Sequence, residues 1–297
     1  MHVHLVDGTF ELFRCFFGAP PRQHNGVEIG ATRGIVSTLL ALMKQPEATH
    51  IGVAFDTVIE SFRNDLFAGY KTGEGIDPNL KAQMPLVEQA SRALGFVTWS
   101  MIDYECDDAI ATMAATAAKD PRVTQVQLCS PDKDLCQMVT GSRVVLVDRI
   151  RKKTIDEAGV VEKFGVPPRL IADLLALVGD DADGVPGLAG FGMKGAAAVL
   201  NHFGSLEAIP DGPWPKEVKV RGGDALSATL TAHRAEAALY KRLTTLVTDV
   251  PLKETVDDLR WRGPNVDLLA QLAADLDDDN LVARVMTVWN EHQNSAS

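Results

Sequence analysis

The feature that most restricts the fold of this chain is an alternation between short β-rich runs and longer helical patterns. The β-rich runs cover residues 3–6, 50–55, 123–129 and 144–147. Apolar side chains at helical spacing cover residues 35–43, 86–94 and 109–118. Such an alternation is typical of an α/β fold in which helices connect parallel strands. The sequence therefore predicts a mainly parallel, doubly wound sheet.

Acidic residues stand where several of these β-rich runs end. Asp7 follows the first run, Asp56 follows the second, and Asp132 and Asp134 follow the third. In parallel sheets, ligands bind outside the carboxyl ends of the strands. We therefore expect these carboxylates to lie at one rim of the sheet.

Together with two further acidic clusters, these residues form a set of nine carboxylates that we predict to be one site. Its members are Asp7, Asp56, Glu105, Asp107, Asp108, Asp132, Asp134, Asp180 and Asp183. Crowded like charges are costly unless cations compensate them, and hard oxygen ligands suit Mg²⁺ or Mn²⁺. Two such ions can activate water and stabilise the leaving oxygen of an in-line displacement. The pattern therefore predicts metal-dependent hydrolysis of phosphodiesters.

Each of these acids taken alone has a simpler interpretation. A strand-end Asp often caps the helix that follows it, and a charged run is often a solvated face. In an ideal helix Glu105 and Asp108 lie on one face, whereas Glu105 and Asp107 do not. We therefore place this cluster at the start of a helix, where the chain is still turning. For Asp108, a capping or outer position stays open as an alternative to direct metal binding.

A glycine-rich turn marks the second half of the chain, where the pattern becomes mainly helical. Gly190, Gly192 and Gly195 match the sequence motif GxGxxG of dinucleotide-binding proteins, but they follow a helical run instead of a strand. Over residues 179–200 we predict a helix-hairpin-helix whose backbone amides hold a DNA phosphate. Its predicted contacts are Gly187, Gly190, Gly192 and Lys194. A plain packing corner between two helices is the alternative.

A basic stretch over residues 62–84 contains glycines and no apolar period. We predict a loop or weak helix above the rim of the sheet. Its candidate DNA contacts are Arg63, Tyr70, Lys71 and Lys81. A cation there would neutralise transition-state charge, and an aromatic ring would stack on an unpaired base. A simple surface loop is the alternative.

The motifs LVDG, AFD, SFRNDLFAGYK, YECDD, SPDKDL and GDDADGVPGLAGFGMKGA occur in the order and spacing of the 5′ nuclease superfamily. Over roughly residues 3 to 255 the chain resembles the bacterial 5′–3′ exonucleases or flap endonucleases, which are similar to the N-terminal domain of bacterial DNA polymerase I. The resemblance implies a PIN-like nuclease core over residues 1–165, with a helical arch over 62–84. It also implies a helical DNA-binding subdomain over residues 166–297.

The resemblance also implies roles for single residues. Asp7, Asp56, Glu105, Asp107 and Asp132 would surround a first metal ion, Asp134, Asp180 and Asp183 would serve a second, and Asp108 would lie close by. Arg14 and Arg63 would contact substrate phosphates, and Lys71 the scissile phosphate. The hairpin would bind downstream duplex, with K⁺ on its backbone carbonyls. The chain departs from the family pattern in two places: residues 72–75 bring Glu74 into the region where an Arg is usual, and Phe67 lies where a Tyr is common.

These observations together predict a structure-selective 5′ nuclease that cleaves DNA at 5′ flaps, nicks and junctions by two-metal-ion catalysis. A PIN-type ribonuclease and a non-catalytic junction-binding protein are the alternatives. The net charge of −11 does not exclude a nucleic acid partner, because most of it comes from the nine predicted site carboxylates. With no targeting segment or apolar span evident, we expect a cytoplasmic monomer with no membrane association and no required protein partner.

Overall fold

The computed structural model describes residues 1–295 and divides the chain into two compact units. Unit 1 comprises Met1–Ile59, Gly73–Ser130 and Thr248–Ser297, and unit 2 comprises Glu60–Thr72 and Pro131–Val247. Residues 296 and 297 lie outside the described part of the chain. The units interleave along the sequence, and the linear division into residues 1–165 and 166–297 stays a prediction.

The elements alternate between strand and helix in the first half of the chain and are mainly helical in the second. The strands are β1 (His2–Asp7), β2 (Gln23–His24), β3 (Val27–Glu28), β4 (His50–Asp56), β5 (Val97–Met101), β6 (Gln125–Cys129), β7 (Val144–Asp148) and β8 (Lys153–Ile155). The helices are α1 (Gly8–Gly18), α2 (Gly30–Met43), α3 (Phe62–Leu66), α4 (Pro78–Ala93), α5 (Cys106–Lys119), α6 (Glu157–Phe164), α7 (Ile171–Val178), α8 (Met193–Phe203), α9 (Gly223–Ala232), α10 (Arg234–Thr244), α11 (Val266–Asp275) and α12 (Leu281–Ser295).

Unit 1 is built on four parallel strands in the order β5-β4-β1-β6. The register pairs Asp7 with Ala54, so β1 and β4 end at the same edge. Helices α1, α2 and α4 bury Leu12, Leu39 and Val87 in one core. This arrangement confirms the predicted α/β fold with a mainly parallel sheet. Strand β5 was not predicted, because its sequence VTWSM alternates polar and apolar residues over only five positions.

Unit 2 contains the antiparallel pair β7-β8 and the helices α3 and α6 to α10. Helix α7 is almost entirely apolar, and its Leu174, Leu175 and Leu177 are buried. Buried Asp173 on the same helix accepts hydrogen bonds from Leu206 N, at 2.6 Å, and from Lys241 Nζ, at 2.8 Å. The strand-poor second half of the chain thus has the helical character that the sequence indicates.

The basic stretch over residues 62–84 is more ordered than predicted. It begins with the short helix α3, whose N-terminus is stabilised by a capping box between Ser61 and Asn64. Asp77 then caps α4, and Pro78 occupies its first turn, where the missing N–H of proline costs nothing. Residues 78–84 therefore belong to a 16-residue helix, which is longer and better capped than the loop or weak helix that the sequence predicts. Within residues 1–295, the structure contains no helix with the length and apolar character needed to cross a bilayer.

Candidate metal and nucleic acid site

A first group of candidate ligands lies in unit 1, where β1 ends and α5 begins. Ligand atoms of Asp7, Cys106 and Asp107 all lie within 4.8 Å of one another. The carboxylate of Asp7 is nearly inaccessible and is held at both oxygens: Oδ1 accepts Phe10 N at 2.7 Å and Oδ2 accepts Ser130 Oγ at 2.8 Å. These two bonds fix the orientation of Asp7 against the sheet edge.

The other acids of unit 1 connect the strand ends to α5. Asp56 Oδ1 accepts a hydrogen bond from Cys106 N at 2.7 Å, which places the start of α5 beside the end of β4. Asp108 Oδ2 accepts from Glu105 N at 3.1 Å, and the side chain of Asp108 is fully buried. Asp108 therefore stabilises the start of the helix. This capping contact is the alternative that the sequence left open for Asp108, and its role as a metal ligand stays a prediction.

A second group of candidate ligands lies in unit 2. Oxygen atoms of Asp134, Asp180 and Asp183 all lie within 4.8 Å of one another. Asp180 follows α7, and paired bonds between Asp180 and Val185, at 2.7 and 2.9 Å, close a tight loop that returns Asp183 to the group. Asp132 contributes to this arrangement because its Oδ1 accepts Asp134 N at 2.8 Å.

The second group carries unbalanced negative charge. Among the described residues, no hydrogen-bond donor reaches the buried Oδ1 of Asp134. Burial raises the pKa of Asp134 well above its ordinary value, and the charges of Asp132 and Asp183 raise it further. A divalent cation would relieve this repulsion, so the donor set fits a hard metal ion.

Lys133 supplies part of the missing positive charge. Its Nζ lies 2.5 Å from Asp180 Oδ2 and 3.8 Å from Asp134 Oδ1. Burial lowers the pKa of Lys133, but the neighbouring carboxylates outweigh burial and raise it above its ordinary value. Sequence reasoning gave Lys133 no role, although its position between Asp132 and Asp134 was the available signal.

Two residues that border Asp7, namely Cys106 and Ser130, were also not predicted from the sequence, because neither stands out in the acidic pattern.

Lys71 is attached to the second group by its backbone and its side chain. Lys71 N donates to Asp183 O at 3.0 Å, and Lys71 Nζ lies 2.9 Å from Asp183 Oδ1. Asn64 Nδ2 donates to Lys71 O at 3.0 Å, which ties α3 to the same segment. A Cβ atom at Gly184 would lie 2.2 Å from Gly69 O, so only glycine allows this close approach of two loops.

The glycine hairpin connects α7 to α8 within unit 2. Gly187 and Gly190 have positive φ angles of 68° and 86°, and Leu188 N donates to Leu177 O at 2.8 Å. Gly192 is the N-cap of α8 and offers no side chain to the first amides of the helix. Gly192 and Lys194 are exposed. The N-terminus of α8 is therefore accessible to an anion, and its role as a phosphate contact stays a prediction.

Two of the predicted DNA contacts are buried instead. Arg63 is 2% exposed and donates to the carbonyl oxygens of Leu243, at 2.8 Å, and Thr245, at 3.0 Å. Tyr70 is 3% exposed and packs with Leu243 in a small apolar cluster. Both side chains belong to the interior of unit 2, and their roles as DNA contacts stay predictions.

The burial of Arg63 leads to a testable expectation. The Arg63→Met variant is expected to lose roughly 3 kcal/mol of unfolding free energy, because two buried carbonyls lose a charged donor. Urea unfolding measures this loss, and the exposed Lys81, changed to Met, serves as the control. A variant of unchanged stability and weakened DNA binding would instead support Arg63 as a DNA contact.

The remaining predicted cations lie in unit 1. Arg14 is about one-third exposed, and its guanidinium pairs with Glu11 and donates to Thr38 Oγ1 at 2.9 Å. Lys81 is exposed on α4. Both positions are compatible with a phosphate contact, and both roles stay predictions.

Comparison with known proteins gives a consistent picture over almost the whole chain. Residues 2–165 match the model of the 5′–3′ exonuclease N-terminal resolvase-like domain, and residues 166–267 match that of the 5′–3′ exonuclease C-terminal SAM fold. A 5′–3′ exonuclease of Aquifex aeolicus is 30% identical over 97% of this chain and 96% of its own length. DNA polymerase I of Pseudomonas aeruginosa is 36% identical over 93% of this chain, which spans only 30% of that relative's length.

A solved structure shares the fold. A bacteriophage T5 flap endonuclease variant, in a pseudo-enzyme-product complex with DNA and metal ions, aligns with a TM-score of 0.65 at 19% identity. The alignment covers 99% of this chain and 100% of that one. At this identity the likeness concerns the fold.

Proposed function

The chain belongs to the 5′–3′ exonuclease family, and from that membership we propose that it is a structure-selective 5′ nuclease. Its substrates would be DNA phosphodiesters at 5′ ends and at junctions between single strand and duplex. The observation that carries the proposal is the pair of three-residue ligand groups, one in each compact unit. The T5 flap endonuclease, whose fold this chain shares, is bound to DNA and metal ions in its crystal structure.

The cofactors we propose are Mg²⁺ or Mn²⁺, two or more per site. In unit 1, Asp7 and Asp107 would hold one ion, with Asp56 and Glu105 contributing to the same site. In unit 2, Asp134, Asp180 and Asp183 would hold another, with Asp132 beside them. When bound, such ions supply a water nucleophile at neutral pH and stabilise the leaving oxygen. The carboxylates fit this use because they are crowded in both groups, and because in unit 2 Asp134 and Asp180 are buried with too few cations to balance their charge.

The chain's own residues orient the ligands and provide positive charge. Ser130 and Phe10 N hold Asp7, and the bond from Cys106 N holds Asp56. Lys71 restrains Asp183 and brings an ammonium group to the second ligand group. We propose that the ammonium group of Lys71 contacts the scissile phosphate, where positive charge stabilises the transition state more than the ground state.

The hairpin is proposed to position the substrate without reading its sequence. The uncapped start of α8 and Lys194 would hold phosphates of the downstream duplex, a contact that sets register and orientation. The family resemblance adds K⁺ on backbone carbonyls of the hairpin. The proposed partner is DNA with 5′ flaps, nicks or junctions, and the proposed form is a cytoplasmic monomer.

The proposed function is tested by cleavage of matched 5′-flap, nicked, gapped, blunt and RNA-containing substrates, each with Mg²⁺, with Mn²⁺ and with a chelator. We expect cleavage close to the junction of the flap substrate and at 5′ ends, and loss of all cleavage with the chelator. Metal-independent cleavage would contradict the proposed chemistry. Preference for RNA without regard to a junction would favour the PIN-type ribonuclease, and binding without cleavage would favour a non-catalytic protein.

A further inference from the structure

A cationic loop, which we define as residues 214–222, precedes α9 in unit 2. It carries Lys216, Lys219 and Arg221, all of them exposed. Within residues 1–295, none of these three side chains has a carboxylate partner within ion-pair distance. The acidic residues in and beside the loop are Glu217 and Asp224, while Asp211 is engaged by Arg234 at 2.7 Å. The loop therefore exposes three cations that the fold does not use.

Apolar residues within the same loop attach it to the hairpin helices. Trp214 is buried, with its ring centroid 6.5 Å from that of Phe191 in the hairpin and 6.1 Å from that of Phe203 at the end of α8. Its indole Nε1 donates to Pro210 O at 3.2 Å. Val218 is buried as well, and its N–H donates to Pro215 O at 3.0 Å. These contacts hold the loop in a defined place.

The loop lies directly against the start of α8. A Cβ atom at Gly195 would lie 3.4 Å from Val220 Cγ2, and one at Gly223 would lie 3.3 Å from Val220 Cγ1. Val220 stands between Lys219 and Arg221 in the sequence. The backbone that carries these two cations therefore passes beside the first turn of α8, where Lys194 and the uncapped amides would attract phosphate.

We propose that the cationic loop is a second phosphate-binding surface, which extends the hairpin contact along the backbone of the downstream duplex. The proposal rests on the proposed nuclease function, and it adds Lys216, Lys219 and Arg221 to the residues that position DNA. Exposed Lys and Arg side chains bind phosphates with release of counterions, and they do so without sequence preference. The loop therefore raises affinity for duplex and leaves the chemical step unchanged.

The test compares the wild-type chain with a triple variant, K216A/K219A/R221A. At moderate salt, we expect the affinity of the variant for 5′-flap DNA with a long downstream duplex to fall roughly tenfold or more. The slope of log affinity against log salt is expected to fall by about 2–3, close to 0.9 for each lost phosphate contact. Single-turnover cleavage at saturating DNA is expected to keep its rate. Truncating the downstream duplex to a few base pairs should remove the difference between the two proteins.

The matched control is K44A/K119A/K253A, which removes three exposed lysines of unit 1 and changes net charge equally. We expect this control to retain the wild-type salt slope. Equal slopes and affinities for the loop variant and the control would overturn the proposal, and so would a deficit that persists on the truncated duplex. If the wild-type chain cleaves no substrate, the proposed function itself fails. If the wild-type chain cleaves flap DNA and the loop variant binds DNA as the wild type does, only the proposal for the cationic loop is refuted.

Discussion

The double variant D180N/D183N is expected to lose metal-dependent cleavage of 5′-flap DNA by roughly three orders of magnitude or more in single-turnover rate. Both carboxylates belong to the second ligand group, whose third member, Asp134, is buried and has a raised pKa. An Asn side chain keeps the size of Asp and removes its charge. The variant therefore loses most of the negative charge that would bind a divalent cation.

Asp181 gives a matched control for this experiment. It lies in the same loop and is exposed, and it is not part of either ligand group found within residues 1–295. The D181N variant is expected to cleave at close to the wild-type rate. Affinity of the double variant for the flap substrate, measured without divalent metal, should stay near the wild-type value. Full activity of D180N/D183N would refute the assignment of the second group as a metal site.

Replacing Lys71 is expected to have the second largest effect. The K71M variant keeps most of the aliphatic side chain and removes the ammonium group that lies 2.9 Å from Asp183 Oδ1. We expect its single-turnover rate to fall by about 10²–10³, with a small change in DNA affinity, because a cation at the reacting phosphate acts mainly in the transition state. Quench-flow kinetics at saturating DNA, with binding measured in parallel, separate the two effects.

The metal dependence of K71M and the activity of a second variant, K71R, together separate two roles for Lys71. If its ammonium group only restrains Asp183, then K71M should need more metal for half-maximal activity and should approach the wild-type rate at high metal concentration. If it acts on the phosphate, saturating metal will not restore the rate, and K71R will recover part of it because the charge returns. An unchanged single-turnover rate in K71M would remove Lys71 from the site.

The acidic pattern was readable from the sequence because its carboxylates lie at the ends or starts of locally recognisable elements. Asp7 and Asp56 end strands β1 and β4, and Asp180 directly follows the glycine that ends α7. The roles of neighbouring residues were not readable in the same way. Asp108 caps α5 from a fully buried position, and Lys133 pairs with Asp180 across 47 positions of the sequence. Such pairings depend on how distant segments pack.

The basic stretch shows the same limit more strongly. Its composition marks it as polar and glycine-rich, yet Arg63 and Tyr70 are almost completely buried and α4 starts at Pro78. A charged guanidinium is expected at the surface unless partners compensate its burial. Its partners, the carbonyls of Leu243 and Thr245, lie 180 or more residues away, so no local pattern predicts them.

The sequence by itself determined the alternation of strands and helices, the order of the acids and the glycine turn before α8, because these depend on local periodicity and backbone freedom. Only the tertiary structure decided which ligand atoms converge within each unit, which cations are buried as packing residues and which stay exposed for a partner. Convergence and burial are set by contacts between residues far apart in the chain. The cationic loop illustrates the difference: its charges are visible in the sequence, but its place against α8 depends on Trp214 and Val220.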